Sequence, residues 1–241
     1  AREAPIVLWF SRATREWITP ARERSLKELG AGISDQDDGR DATHVVVGRE
    51  LRRTMRVMCA ICRGQYVVGD DWLRASIRAK RWADPLEHLP RSLSRRMAGS
   101  LEGARAGALE PEEAVRAAVS AAIGRARARP LLAGCSVYVF PSVQARAAVQ
   151  RLVEVAGGAS LQAPPSAEAA GTSGEAARPA LFLLGTEADS RAAAASGLPL
   201  FQAGLLFEAA MSQQLNLQSP VHRLQDSGAK SSVIQGKVPL E

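Results

Sequence analysis

Cysteine is scarce in this 241-residue chain, where Cys59, Cys62 and Cys135 are the only three. So small and odd a number excludes a disulfide framework and points to a reducing, intracellular compartment. Aromatic residues make up 5% of the sequence against a hydrophobic fraction of 46%, so Ala, Leu and Val must fill most of any core. No apolar run approaches the roughly 20 residues of a membrane span, and the start Ala1-Arg2-Glu3-Ala4-Pro5 has no signal-peptide core. The expectation is a soluble piece of a longer protein with no membrane partner.

Catalytic signatures are missing too. There is no Walker loop, dinucleotide fingerprint, G-x-S-x-G or H-E-x-x-H. Cys59-Ala60-Ile61-Cys62 has C-x-x-C spacing but lies in an apolar helical stretch without a second pair, and His44, His88 and His222 have no ligand spacing. Buried structural thiols are expected, with no metal and no cofactor. The acidic run Asp35 to Asp38 sits among Gly and polar residues and reads as a loop. A binding protein is expected rather than an enzyme.

What is present is positive charge and an internal repeat. A formal charge of +6 and a pI near 9.8 favour an acidic partner: nucleic acid, phosphopeptide or acidic tail. The length suits two domains of about 100 residues with a connector. Ile6-Val7-Leu8-Trp9-Phe10 and Val137-Tyr138-Val139-Phe140 are short strand-like runs, each followed by a helix-period stretch, Glu16 to Leu29 and Val143 to Ala156. Both stretches stop at glycine, at Gly30 and at Gly157-Gly158. Thr43 to Gly48 and Pro179 to Gly185 are continuous apolar runs of the kind covered on both faces in a parallel sheet. A third pairing sets Gly64-Gln65-Tyr66-Val67-Val68 beside Gly197-Leu198-Pro199-Leu200-Phe201, each leading into a helix, Asp70 to Trp82 and Ala203 to Leu215. The expected order is β-α-β-β-α-β-α, twice, an α/β architecture with right-handed crossovers.

The spacing divides the chain into a first module over 4–85, a linker over 86–130, a second module over 131–224 and a tail over 225–241. Pro111-Glu112-Glu113 to Arg129 reads as a linker helix, with proline and acids in its first turn and arginines in its last. Ala163 to Ala177 and the tail are expected to be disordered on composition.

Asp70-Asp71-Trp72-Leu73-Arg74-Ala75-Ser76-Ile77 resembles the last-helix signature of BRCT domains, in which a tryptophan anchors the helix to the sheet. The stretches Leu51 to Gly64 and Leu131 to Gln144 resemble the corresponding regions of the DNA damage checkpoint mediators within the tandem BRCT family. The likeness extends over most of residues 5–224, with Leu205 standing where a second anchoring tryptophan would be. It implies two BRCT modules, each a small parallel four-stranded sheet flanked by helices, joined by a linker helix. It also implies a monomeric, nuclear, phosphopeptide-binding protein of the DNA damage response.

The family holds phosphate with a Ser or Thr followed by Gly after the first strand, and with a basic residue on the second helix. Carried over, Ser11 would donate its hydroxyl, Arg12 its backbone N–H and Arg56 its charge. Arginine stands here for the family's glycine at 12 and its lysine at 56. Arg53, expected on the same helical face as Arg56, Met58 and Gln144 would read the third residue downstream, and Thr54 would bond toward Ser11. The implied ligand is a phosphoserine or phosphothreonine peptide with an aromatic or apolar residue three places on, including a C-terminal phosphorylated histone tail. Read without the likeness, Arg53 and Arg56 are a solvated basic face, Met58 a core residue and Gln144 an exposed helix start. DNA contact and a phosphorylation-independent scaffold stay open as alternatives.

Overall fold

The computed structural model describes residues 5–36, 38–48, 50–90, 92–93, 111–165, 181–218 and 221–224. The linker segment 94–110, most of the Ala/Ser/Gly/Pro-rich stretch and the tail after 224 lie outside the described residues.

The first module runs β1 (Val7–Phe10), α1 (Arg12–Arg15), α2 (Pro20–Glu28), β2 (Gly32–Ile33), β3 (His44–Val47), β4 (Glu50–Leu51), α3 (Met55–Cys62), β5 (Tyr66–Gly69) and α4 (Asp70–Ala79). β6 (Ser92–Leu93) pairs in parallel with β4, and the linker helix α5 (Pro111–Ala128) follows. The second module runs β7 (Ser136–Val139), α6 (Arg146–Val155), β8 (Ala159–Leu161), β9 (Leu181–Leu184), α7 (Ser190–Ser196), β10 (Leu200–Phe201), α8 (Ala203–Ser212) and β11 (Arg223–Leu224).

The first sheet has four parallel strands in the order β2-β1-β3-β5. The second repeats that order as β8-β7-β9-β10 but adds β11 antiparallel at its edge, so it has five strands rather than the expected four. Two helix boundaries also differ from expectation. The stretch from Glu16 to Leu29 breaks before Pro20, because the residue preceding a proline is pushed out of helical geometry. Thr19 takes that extended place and caps α2 from its side chain. In the second module α6 starts only at Arg146, after Ala145 adopts a left-handed φ of 53°.

The first module's outer face is closed by an aromatic stack. Trp72 is fully buried, donates its Nε1–H to the Ala83 carbonyl at 2.9 Å, and stacks between His44 (4.7 Å) and Trp82 (5.0 Å). Leu8, Phe10, Leu26, Val46 and Val68 complete that core. The other face carries α3, whose residues Val57 to Cys62 are all buried. A helix buried on all sides must be covered by more than its own sheet, and α3 packs against α5, α6 and α8. One apolar core therefore runs through both modules, from Val45 and Val67 through Ile61 and Ile123 to Leu152, Phe182 and Leu205.

Leu205 is buried where Trp72 would be matched. The two positions face different surroundings. Trp72 sits under a face that ends in solvent, whereas the α6/α8 face of the second module is covered by α3 and α5. The space an indole fills in the first module is filled in the second by the neighbouring module.

The linker helix joins both modules through arginines. Arg125 donates from Nε and Nη2 to the Ser212 carbonyl at 3.1 and 2.7 Å, at the end of α8. Arg127 donates to the Gly64 carbonyl at 2.8 Å, just past α3, and lies 3.9 Å from the centre of the Tyr66 ring. Each places a cation at a helix C-terminus, where unpaired carbonyls concentrate negative potential. Gly64 is needed there: its φ is +68°, and a β-carbon would meet the Arg127 side chain at 2.6 Å.

Ile123 is 1% exposed at the centre of the shared core. Ile123→Ala should lower stability by about 3 kcal/mol through lost burial and the cavity it leaves. All four tryptophans, at 9, 17, 72 and 82, lie in the first module. Denaturation followed by tryptophan fluorescence should therefore coincide with the loss of helical circular dichroism from both modules. Separate transitions would show that the core is not shared.

Burial pushes the pKa of His44 down to about 4, assisted by the nearby charge of Arg127. The unfolded chain takes up this proton near pH 6.5 and the folded chain does not, so stability is lost as pH falls through that window. The loss should reach about 2 kcal/mol between pH 7 and pH 5 and level off below about pH 4. Urea titrations of wild type and His44→Phe check this, and an unchanged slope in the variant would assign it to another group.

Candidate functional site

The end of β1 and the start of α3 meet on one side of the first sheet. Side chains alternate along a strand, so Trp9 and Phe10 take opposite sides. Trp9 belongs to the α3-side core and Phe10 to the outer one. The Trp9 ring is held by its Nε1–H, which donates to the Gln36 carbonyl at 3.1 Å. Gly39 lies against it so closely that a β-carbon would approach the ring at 2.7 Å.

Ser11 leaves the strand in extended geometry (φ −62°, ψ 157°) and stands before α1, with its own N–H donating to the Val46 carbonyl at 3.0 Å. Its hydroxyl lies 2.9 Å from that of Thr14. Arg12 opens α1, so its backbone N–H belongs to a helix first turn, where amides lack intrahelical acceptors.

Thr54 does not reach toward Ser11. Its side chain caps α3 by accepting the Val57 N–H at 3.3 Å, and Thr14 is the partner of the Ser11 hydroxyl. At the N-cap the threonine oxygen accepts from the first turn of the helix that it starts. The Arg53–Arg56 pair is also arranged differently from a stripe on one helical face. Arg53 precedes the cap and lies outside α3, while Arg56 is in its first turn. The two guanidinium groups diverge. Arg56, exposed, lies 5.2 Å from the centre of the Trp9 ring. Arg53, half-buried, lies 5.8 Å from the ring of Phe207 on α8 of the second module. Both distances fall within cation–π range.

Met58, expected on the groove wall, is 3% exposed within the shared core. Helical spacing puts it one residue beyond the turn that carries Arg56 outward, and α6 and α8 close over it. Gln144 is exposed in the turn that precedes α6, the helix packed on α3. Trp9, Phe207 and Thr14 are the residues sequence reading missed. Trp9 could have been found by its two-residue offset from Ser11, whereas nothing local in the sequence links Phe207 to Arg53.

An ion cluster joins the modules beside this region. Asp38 pairs with Arg63 at 3.0 Å and with Arg151 of α6. Burial pushes the Asp38 pKa up, but the Arg40 N–H, the Arg63 charge and the bond from Arg151 outweigh it and hold the carboxyl below its ordinary value.

The second module does not duplicate the corner. The Phe140 N–H donates to the Leu184 carbonyl at 2.8 Å just as that of Ser11 donates to Val46, so a buried phenyl ring stands in the place of the serine. The adjoining donors are already occupied: Ser142, the Thr186 N–H and the Thr186 hydroxyl all bond to one carboxylate oxygen of Asp189.

Cys59 and Cys62 are buried in the shared core. Burial pushes Cys62 up to about 12, and Cys59 is likewise raised. Among the described residues no group of three or more His, Cys, Asp or Glu side chains could hold a metal, and no helix is long and apolar enough to cross a membrane.

Solved structures with this arrangement are tandem BRCT domains. The BRCT5-BRCT6 domains of S. pombe Brc1 match with a TM-score of 0.62 at 20% identity, over 92% of this chain and 98% of that one. Rtt107p matches with a TM-score of 0.57 at 9% identity, over 92% of each chain. A complex of Rtt107p with a phosphorylated histone gives 0.54, also at 9%, over 93% and 95%. The chain thus has the fold of a tandem BRCT pair. In sequence it resembles Mediator of DNA damage checkpoint protein 1 of Homo sapiens, at 31% identity over 124 residues. That stretch is 51% of this chain and 5% of the relative's length. No family model matches the sequence.

A raised thiol pKa and burial both suppress thiolate reactivity. Cys59 and Cys62 should therefore resist a thiol reagent at pH 8 while the chain is folded and react on denaturation, as read by mass spectrometry. Rapid native labelling at either position would restore a redox reading of the C-x-x-C.

Proposed function

We propose that this chain binds phosphorylated peptides through the first module, with the second module supplying one wall of the groove that reads residues downstream of the phosphate. The observation that carries the reading is the position of Arg56: its guanidinium stands over the ring of Trp9, two residues before Ser11 in the chain. A hydroxyl, a helix-start amide and an exposed cation are a donor set suited to a phosphate dianion. Arginine at position 12 keeps the backbone N–H that the family's glycine supplies, since only proline would remove it.

Arg53 supports the second half of the reading. It reaches from the first module to Phe207 of the second, so a charged donor and an aromatic surface stand together at the module boundary. That pairing suits a peptide with an aromatic or apolar residue at the third place after the phosphate, and a free carboxylate there would meet Arg53. Among tandem BRCT structures, Rtt107p has been solved with a phosphorylated histone. A phosphorylated histone tail or phosphoprotein of the DNA damage response, met in the nucleus, is the partner class we infer. The chain then acts as a monomeric binding module rather than an enzyme, and any contact with DNA is secondary.

Isothermal titration with a phosphoserine peptide carrying an aromatic residue three places on, and with its unphosphorylated twin, tests this. The phosphorylated form should bind at least about tenfold more tightly, in keeping with charge-assisted hydrogen bonds. Arg56→Glu should erase the difference. Equal affinities in wild type would sink the reading in favour of a phosphorylation-independent scaffold. Steeply salt-dependent binding to duplex DNA, with no response to phosphorylation, would favour the DNA-binding alternative.

A further inference from the structure

We propose that Thr14 is a positioning residue that sets whether the Ser11 hydroxyl can donate to a bound phosphate. The inference rests on reading the end of β1 as the phosphate corner. Thr14 is 4% exposed. Its Oγ1 lies within hydrogen-bond reach of three oxygens: Ser11 Oγ at 2.9 Å, the Ser11 carbonyl at 3.0 Å and the Val46 carbonyl at 2.9 Å. A threonine hydroxyl carries a single proton and favours one of these acceptors at a time.

Neither carbonyl depends on that proton. The Val46 carbonyl already accepts the Ser11 N–H at 3.0 Å, and the Ser11 carbonyl accepts the N–H groups of Thr14 at 2.9 Å and Arg15 at 3.0 Å. Two arrangements of the hydroxyl protons therefore satisfy the same buried backbone. In one, Thr14 donates to a carbonyl and Ser11 donates inward to Thr14, so that Ser11 presents only lone pairs to an incoming anion. In the other, Thr14 donates to Ser11 Oγ and the Ser11 proton turns outward.

Only in the second arrangement does Ser11 donate to the phosphate, because a phosphate dianion offers acceptors alone. Passing from one to the other rotates two hydroxyl protons and moves no heavy atom. The outward arrangement also forms a chain in which each bond polarises the next, so donation by Thr14 strengthens donation by Ser11. Thr14 thus acts on the ligand through Ser11 without touching it. Its place on α1, three residues after Ser11, puts the two hydroxyls on one edge of the first turn.

The test is titration of the phosphoserine peptide and its unphosphorylated twin against wild type, Thr14→Val and Thr14→Ser, alone and combined with Ser11→Ala. Thr14→Val should bind the phosphopeptide about fivefold to tenfold more weakly and the twin as wild type does, while Thr14→Ser keeps wild-type affinity. With Ser11→Ala already present, Thr14→Val should add no further loss. Wild-type phosphopeptide affinity in Thr14→Val, an equal loss in Thr14→Ser, or the same loss on top of Ser11→Ala would overturn the relay and leave the phosphate site standing. Wild type that ignores phosphorylation would overturn the site and the relay together. If thermal unfolding shows that Thr14→Val has not folded, wild-type NMR decides. The hydroxyl proton of Thr14 should exchange its contact with Val46 for one with Ser11 when the phosphopeptide is added, and an unmoved contact would overturn the relay.

Discussion

The proposed binding surface depends on the burial of α3. From Val57 to Cys62 no residue reaches solvent, because the helix has its own sheet on one side and α5, α6 and α8 on the others. A helix so enclosed can carry polar groups only where it emerges, and it emerges at its first turn. That turn lies beside the ends of the parallel strands, where Ser11 also leaves the sheet. The basic character of the corner and its place in the fold thus follow from one packing arrangement. The same enclosure takes the two cysteines out of chemistry: a C-x-x-C whose sulfurs are packed against a second module is a piece of hydrophobic filling.

The two modules share a topology and divide the work. Their departures from one another have a common cause in how they face. The second module turns its α6/α8 face inward, so Leu205 suffices where Trp72 is needed to close an outward face. Its strand-end corner carries Phe140 and a set of donors satisfied internally by Asp189. On the proposed reading, charge recognition is left to the first module, and the second contributes surface, through Phe207.

Strands were the most legible part of the sequence, because a parallel sheet covered on both faces needs uninterrupted apolar runs, and those of β3 and β9 stand out against an alanine-rich background. The repeat order followed from them. Helix edges were less legible: the Glu16 to Thr19 break depends on one proline, and a regular pattern of apolar residues runs across it. In the proposed site, the roles of Ser11 and Arg56 rest on local spacing and family likeness. The capping role of Thr54 was not legible, since it depends on where the helix starts. Met58 was ambiguous for a similar reason, as an apolar residue on α3 is groove or core according to how far the second module closes over it. The contact of Arg53 with Phe207 lies beyond any local rule, being made between segments that meet only when both modules are folded.

The linker helix has a geometric consequence of its own. Arg125 and Arg127 stand two residues apart, and two residues of α-helix turn through about 200°, so one arginine faces each module. A single inserted residue between the linker helix's start and this pair would swing both by about 100° and aim neither at its carbonyl. The gauge of the molecule, the span between a corner on one module and an aromatic ring on the other, is therefore kept by the pitch of a helix that forms no part of either. On the proposed reading, α5 helps to set the distance that a peptide lying across both modules would have to span.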